Sequence, residues 1–269
     1  MDIRQLARGT VPWDRLERVA TILARRYDRD AVRVEFLAAD NWLSIPCIVD
    51  DEWFVKIVTK QHTRVHALLT AGRNAGALSS GSGGFFTRFE TPLAMVEHEY
   101  EATQRMREIG CNAPEPIEAF EANGLGVLVL EYLPAFESVD DLDATRVRAL
   151  APELFATLAT MHDNGLAHGD LRAENLLVAD GDLYFIDATK VLPDRQAAAR
   201  AYDLACALAI LEPRVGVRSA VAAASEQYAA EDLLDARDFL DFVRLRPDHR
   251  FDSTRLRSEL EKWAALSEG

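Results

Sequence analysis

The stretch His168-Gly169-Asp170-Leu171-Arg172-Ala173-Glu174-Asn175 is followed, after one short hairpin, by Ile186-Asp187. Between them, Leu176-Leu177-Val178 and Leu183-Tyr184-Phe185-Ile186 flank Asp180-Gly181, a dipeptide that tolerates the positive φ of a tight turn. One loop and one hairpin therefore bring two carboxylates and an amide together in space.

Phosphoryl transfer needs such a set: one carboxylate to orient the attacking group and accept its proton, and an amide with a second carboxylate to hold metal against the phosphates. The spacing HxDxxxxN, followed by a strand that ends in Asp, is the catalytic-loop pattern of kinases. A single short pattern occurs by chance, so the other parts matter. Lys56 stands mid-strand in Trp53-Phe54-Val55-Lys56-Ile57-Val58, where a charge needs a partner. The helix predicted over 92–109 carries Glu97, Glu99 and Glu101, any of which could supply it.

Working outward, helical spacing of Trp13, Leu16, Val19, Ala20 and Leu23 predicts an N-terminal helix, and alternation over 31–58 predicts a small antiparallel sheet. The 92–109 helix is closed by Gly110, and a hairpin over 117–133 turns at Asn123-Gly124. Beyond Pro134 the pattern becomes helical, with Leu150, Leu154, Leu158 and Met161 on one face, and from Ala197 onward only helices are expected. Residues 71–84, AGRNAGALSSGSGG, have linker chemistry and are expected to form a mobile insertion. Their GSGG run is not a Walker loop, because Phe85-Phe86 follows in place of Lys and Ser/Thr.

The 269 residues carry 30 basic against 44 acidic side chains, a formal net charge of −14. That balance disfavours nonspecific binding to nucleic acid or anionic lipid, and no nucleic-acid motif is evident. Only four of the basic residues are Lys, which together with the acidity points to a salt-accumulating archaeon. Three cysteines without CxxC spacing indicate neither a disulfide framework nor a zinc site. The beginning, Met1-Asp2-Ile3-Arg4-Gln5, has no apolar signal core, and the longest apolar run, Leu204 to Leu211, is too short to span a bilayer. A cytoplasmic protein without membrane partners is expected.

Over roughly residues 31–212 the chain resembles the protein kinase-like superfamily, and within it the RIO family of atypical serine/threonine kinases. The segments that carry the resemblance are VKIV at 55–58, the Gly/Ser-containing insertion, HEYEATQRMREIGCNAPEPI, HGDLRAENLLV, and YFIDATK in place of a DFG motif. The resemblance implies an α+β, two-lobed fold: an antiparallel N-lobe over 1–133 and a reduced helical C-lobe over 134–269, together one kinase-like domain. It implies ATP and Mg²⁺ as cofactors, with a protein substrate or the chain itself as acceptor and a pre-ribosomal particle as a partner. Asp170 would be the catalytic carboxylate, Arg172 a neutraliser of the γ-phosphate, and Asn175 and Asp187 the metal ligands. Lys56 would grip the phosphates, with Glu99, the glutamate that aligns, as its partner. His168 would orient the loop, and Asp203 would brace it.

The stretch 36–44 contains no glycine, so backbone amides there cannot approach phosphate closely, and Ser44 is the one candidate contact. After Asp187 no APE sequence or activation segment is evident. Two other readings stay open: a small-molecule phosphotransferase of the aminoglycoside or lipopolysaccharide kinase type, and a kinase-fold binding protein without turnover.

Overall fold

The structure, a computed structural model, describes residues 11–37, 43–79, 83–246 and 248–267. The chain divides into two compact units, one formed by 1–71, 88–105 and 114–134, the other by 72–87, 106–113 and 135–269. Segments 72–87 and 106–113 precede residue 134 in sequence but group with the second unit.

In the first unit, helix α1 (Trp13–Arg26) precedes strands β1 (Val34–Phe36), β2 (Ile45–Val49) and β3 (Trp53–Val58). Strands β4 (Pro116–Ala122) and β5 (Leu125–Glu131) form the hairpin at Asn123-Gly124 and complete an antiparallel sheet of order β1-β2-β3-β5-β4. Period-two alternation sorts β3 between two cores. Trp53, Val55 and Ile57 join Val19 and Leu23 of α1 on one face. Phe54 and Val58 lie on the other with Val96, Leu93 and Tyr100 of helix α3 (Pro92–Glu108). Lys56 shares that second face by register, which aims it at α3. The Thr91 hydroxyl caps α3 by accepting from the Ala94 N–H at 3.0 Å, and positive-φ Gly110 follows its end.

Helix α2 (Lys60–Ser79) has residues in both units and corrects the expectation for 71–84. Through Ser79 this stretch is helix; the expected mobile insertion covers 80–82 only outside the described residues. Alanine, frequent there, is the strongest helix former. Gly76 has a packing role: a Cβ on it would come within 2.3 Å of the Phe242 ring. The segment that follows is also tied down. The Asn74 side chain donates to the Phe86 carbonyl and accepts from its N–H, both at 2.9 Å, and Phe85 is fully buried against Tyr202 and Phe239.

The second unit is mainly helical: α4 (Ala144–Asp163), α5 (Gln196–Val215), α6 (Val217–Ser225), α7 (Ala230–Arg244) and α8 (Ser253–Ser267). Helix α5 is apolar nearly all round, as a central helix must be, with Leu204 through Leu211 buried. A small sheet of β6 (Glu137–Ser138), β7 (Leu176–Ala179) and β8 (Asp182–Phe185) holds the hairpin between Asn175 and Asp187. The α+β class, an antiparallel sheet followed by helices, is the one expected from the sequence.

Candidate functional site

In the first unit, Lys56 Nζ donates to Glu99 Oε1 at 2.5 Å, and both side chains are largely buried, at 6% and 14% exposure. Register explains the choice among three glutamates: the β3 face that carries Lys56 packs on α3, where Glu97 is exposed and Glu101 is exposed. Ser44 is buried immediately before β2, whose Pro46 lies opposite Lys56. Of the glycine-free stretch 36–44, residues 38–42 lie outside the described residues.

In the second unit the loop 168–175 is fixed from within. Gly169 adopts φ +73°, and a Cβ there would lie 2.7 Å from the Thr189 side chain, so the position admits glycine for two independent reasons. His168 is fully buried, and burial pushes its pKa down despite neighbouring carboxylates. It is therefore neutral: Nε2 donates to the Ile186 carbonyl at 2.9 Å while Nδ1 accepts from the Asp170 N–H at 3.3 Å. Asp203, on α5, accepts from the N–H groups of His168 at 2.6 Å and Gly169 at 2.8 Å. It braces the loop as the sequence implied.

Four bonds tie Asp170, Asn175 and Ile186, the residue before Asp187, into one constellation. The Asn175 side-chain amide donates to the Asp170 carbonyl at 2.8 Å, the Ile186 N–H donates to the Asn175 carbonyl at 3.1 Å, and His168 bridges Asp170 to Ile186. Asp187 then leaves β8 in the left-handed region, at φ +64°. Because the Asn175 nitrogen is committed to Asp170, its amide oxygen is presented as an acceptor.

Around the Asp170 carboxylate stand three guanidinium groups. Oδ1 accepts from Arg73 Nη2 at 2.5 Å and from Arg246 Nη2 at 2.9 Å, while Arg172 Nε lies 3.7 Å from Oδ2. Burial alone would favour the neutral acid, but Arg73, Arg246 and Arg172 outweigh it and hold the carboxyl well below the usual carboxylate range. Arg246 also donates to Tyr202 Oη and Asp248 Oδ2, each at 2.5 Å. Arg172 pairs with Glu174 as well. Arg73 and Arg246 were not legible as site residues. The one available signal for Arg73 is that it is the single charged residue in 71–84; Arg246 has none.

Among the described residues, no group of three or more His, Cys, Asp or Glu forms a metal cage, and no helix is long and apolar enough to cross a membrane. Asn175 and Asp187 offer an amide and a carboxylate oxygen, the donor type that suits Mg²⁺ when nucleotide phosphates and water complete its shell.

A buried strand lysine paired to a helix glutamate in the first unit, and Asp170, Asn175 and Asp187 on one loop and hairpin in the second, are the residues on which a kinase-like reading draws. Residues 87–204 match the RIO domain family, a stretch that includes Glu99, Asp170, Asn175 and Asp187. A 92-residue stretch, 33% of the chain, is 28% identical to the KEOPS complex subunit Bud32 of Pyrococcus abyssi and covers 41% of that relative. The chain thus spans less than half the length of the curated relative it matches. The crystal structure of the PknI kinase domain of Mycobacterium tuberculosis aligns with a TM-score of 0.42 at 15% identity, covering 87% of this chain and 95% of that one.

Proposed function

We propose that this chain is an ATP-dependent, RIO-like phosphotransferase that acts on serine or threonine hydroxyls of a protein, or on itself, or that transfers the phosphoryl group to water as an ATPase. The observation that carries this reading is the bonded constellation of Asp170, Asn175 and Ile186-Asp187. Asp170 accepts the proton of the attacking hydroxyl as its oxygen bonds to the γ-phosphorus; the bond from that phosphorus to the β-γ bridging oxygen breaks, and its electron pair stays on the departing diphosphate. Arg172 offsets charge on the transferred group. Asn175 and Asp187 would hold Mg²⁺, which supplies neutralisation of the phosphate oxygens when bound. Lys56, held by Glu99, grips phosphate, and Ser44 is the candidate contact from the loop before β2.

The acidic, Lys-poor composition supports a cytoplasm of high salt as the working environment. The name of the Pyrococcus relative supports membership of a multi-subunit complex, a pre-ribosomal particle being the other candidate assembly. The two units together would form one kinase-like domain.

The reading is tested by incubating the protein with γ-labelled ATP and Mg²⁺ at low and molar salt, beside Asp170→Ala and Asp187→Ala. Turnover is expected in the unaltered protein and to be lost in both variants. Equal label or hydrolysis in all three would sink the assignment, and transfer only to a supplied small alcohol would move it to the small-molecule phosphotransferases.

A further inference from the structure

The two oxygens of Asp170 are not equivalent. Oδ1 carries two guanidinium bonds, from Arg73 and Arg246. Beside Oδ2 lies Arg172 Nε, at 3.7 Å, beyond hydrogen-bonding range. Arg172 Nε is itself buried without a hydrogen-bond partner among the described residues. A carboxylate oxygen and a buried N–H thus face the same space without bonding one another, an arrangement suited to a third polar group that donates to one and accepts from the other.

The Arg246 guanidinium is fixed on every side. Its Nη1 is committed to Tyr202 of α5, and its other nitrogens to Asp248 and Asp170; the side chain is 8% exposed. Arg73 reaches the same oxygen from α2, its guanidinium lying 5.5 Å from the Phe86 ring centroid. Two donors, one from before the loop in sequence and one from after it, therefore define the rotation of one carboxylate.

We infer that Arg246 and Arg73 are positioning residues that saturate Oδ1 of Asp170 and so select Oδ2 as the oxygen that takes the acceptor's proton. The inference rests on the proposed function for its chemistry, but the clamp itself is readable without turnover. A positioned base contributes on the order of 10²–10⁴-fold, and misorienting it forfeits part of that. Arg246→Gln is expected to lower kcat at least about tenfold while the KM for ATP stays within about threefold, and Arg246→Lys to restore part of the loss, since lysine keeps the charge but lacks the planar fork. Arg73→Gln, at a more exposed side chain, should lower kcat in the same sense and serves where Arg246→Gln does not fold.

The second readout needs no turnover: the orientation of the Asp170 carboxylate in crystal structures of the unaltered protein and of the variants. With Arg246 or Arg73 replaced by glutamine the carboxylate should rotate or occupy more than one rotamer, and in Arg246→Lys it should keep a single orientation. A carboxylate that holds the same orientation in both glutamine variants, or a kcat within about threefold of the unaltered protein's in both, would overturn the inference. An unaltered protein that never turns over ATP would sink the proposed function instead, and the carboxylate orientation would still decide the clamp.

Discussion

The Lys56–Glu99 pair and the Asp170 cluster both bury charge, by opposite means. In the first unit an ammonium meets a carboxylate, each presented by a regular element beside the apolar side chains of β3, β5 and α3. In the second, one carboxylate meets three guanidinium groups, and one of those binds a second carboxylate and a tyrosine hydroxyl. A buried ion pair is strongly destabilised when one member is removed, whereas three guanidinium groups around one carboxylate share its charge. The pair should therefore be brittle in stability, and the cluster sensitive in the orientation of its central carboxylate.

The largest expected effect tests the cluster. Asp170→Asn preserves shape but removes the anion that three arginines address, and under the proposed function it should reduce turnover by about 10²–10⁴-fold. ATP hydrolysis or label transfer measures this, with circular dichroism as the check on folding. Residual activity within tenfold of the original would mean that Asp170 is not the proton acceptor.

The pair is tested by Lys56→Met, which removes the ammonium from a largely buried Glu99 carboxylate. A loss of about 3–5 kcal/mol is expected in urea unfolding, and the double variant Lys56→Met/Glu99→Leu should recover most of it, because a buried pair is often replaceable by apolar side chains of similar volume. A single variant that loses less than about 1 kcal/mol would place this pair with exposed ion pairs, in contradiction of its burial.

These two regions also differ in how much of them could be read from residues alone. Lys56 betrays itself as a charge inside an apolar strand, and period-two alternation then assigns its face. Asp170, Asn175 and Asp187 are close in sequence, so a loop and a hairpin suffice to assemble them. Arg73 and Arg246 are 97 and 76 positions from Asp170, and only the packing of α2 and α7 brings them to it. Helix α2 was missed for a related reason. Its glycines and serines read as linker, whereas in the structure Gly76 admits the Phe242 ring and Asn74 fastens the backbone of Phe86. Local composition reports conformational freedom and is silent about contacts that remove it.

The cluster should leave a mark on the pH dependence of stability. His249 is pushed down to about 4, chiefly by burial and then by the Arg246 guanidinium, against the attraction of Asp248. In the unfolded chain its value is about 6.5. Between these values the unfolded state binds the extra proton, so stability rises with pH and is lost as pH falls from 6.5 toward 4, by about 3 kcal/mol in all. The Asp170 contribution has the same sign and a lower window: its folded value is depressed, so its stabilisation is complete above the ordinary carboxylate range and is lost only below it. Urea midpoints across pH 4–7 should show the slope, and His249→Asn should flatten it. A slope unchanged in His249→Asn would assign it to other groups.

The smallest effect probes how far the bracing of the cluster extends. Tyr228 Oη donates to His162 Nδ1 at 2.8 Å, and His162 Nε2 lies 3.4 Å from the Asp203 carboxylate that receives the His168 and Gly169 N–H groups. The last link is long, so the strength of the brace resides in the two short backbone bonds and little of it in the relay behind them. Tyr228→Phe should cost about 1 kcal/mol in stability, the worth of one hydrogen bond, and should leave amide exchange at His168 and Gly169 slow. Exchange accelerated by much more than global stability accounts for would show that Asp203 depends on His162 for its orientation. The loop would then be held, like the Asp170 carboxylate, by a network instead of by one neighbour.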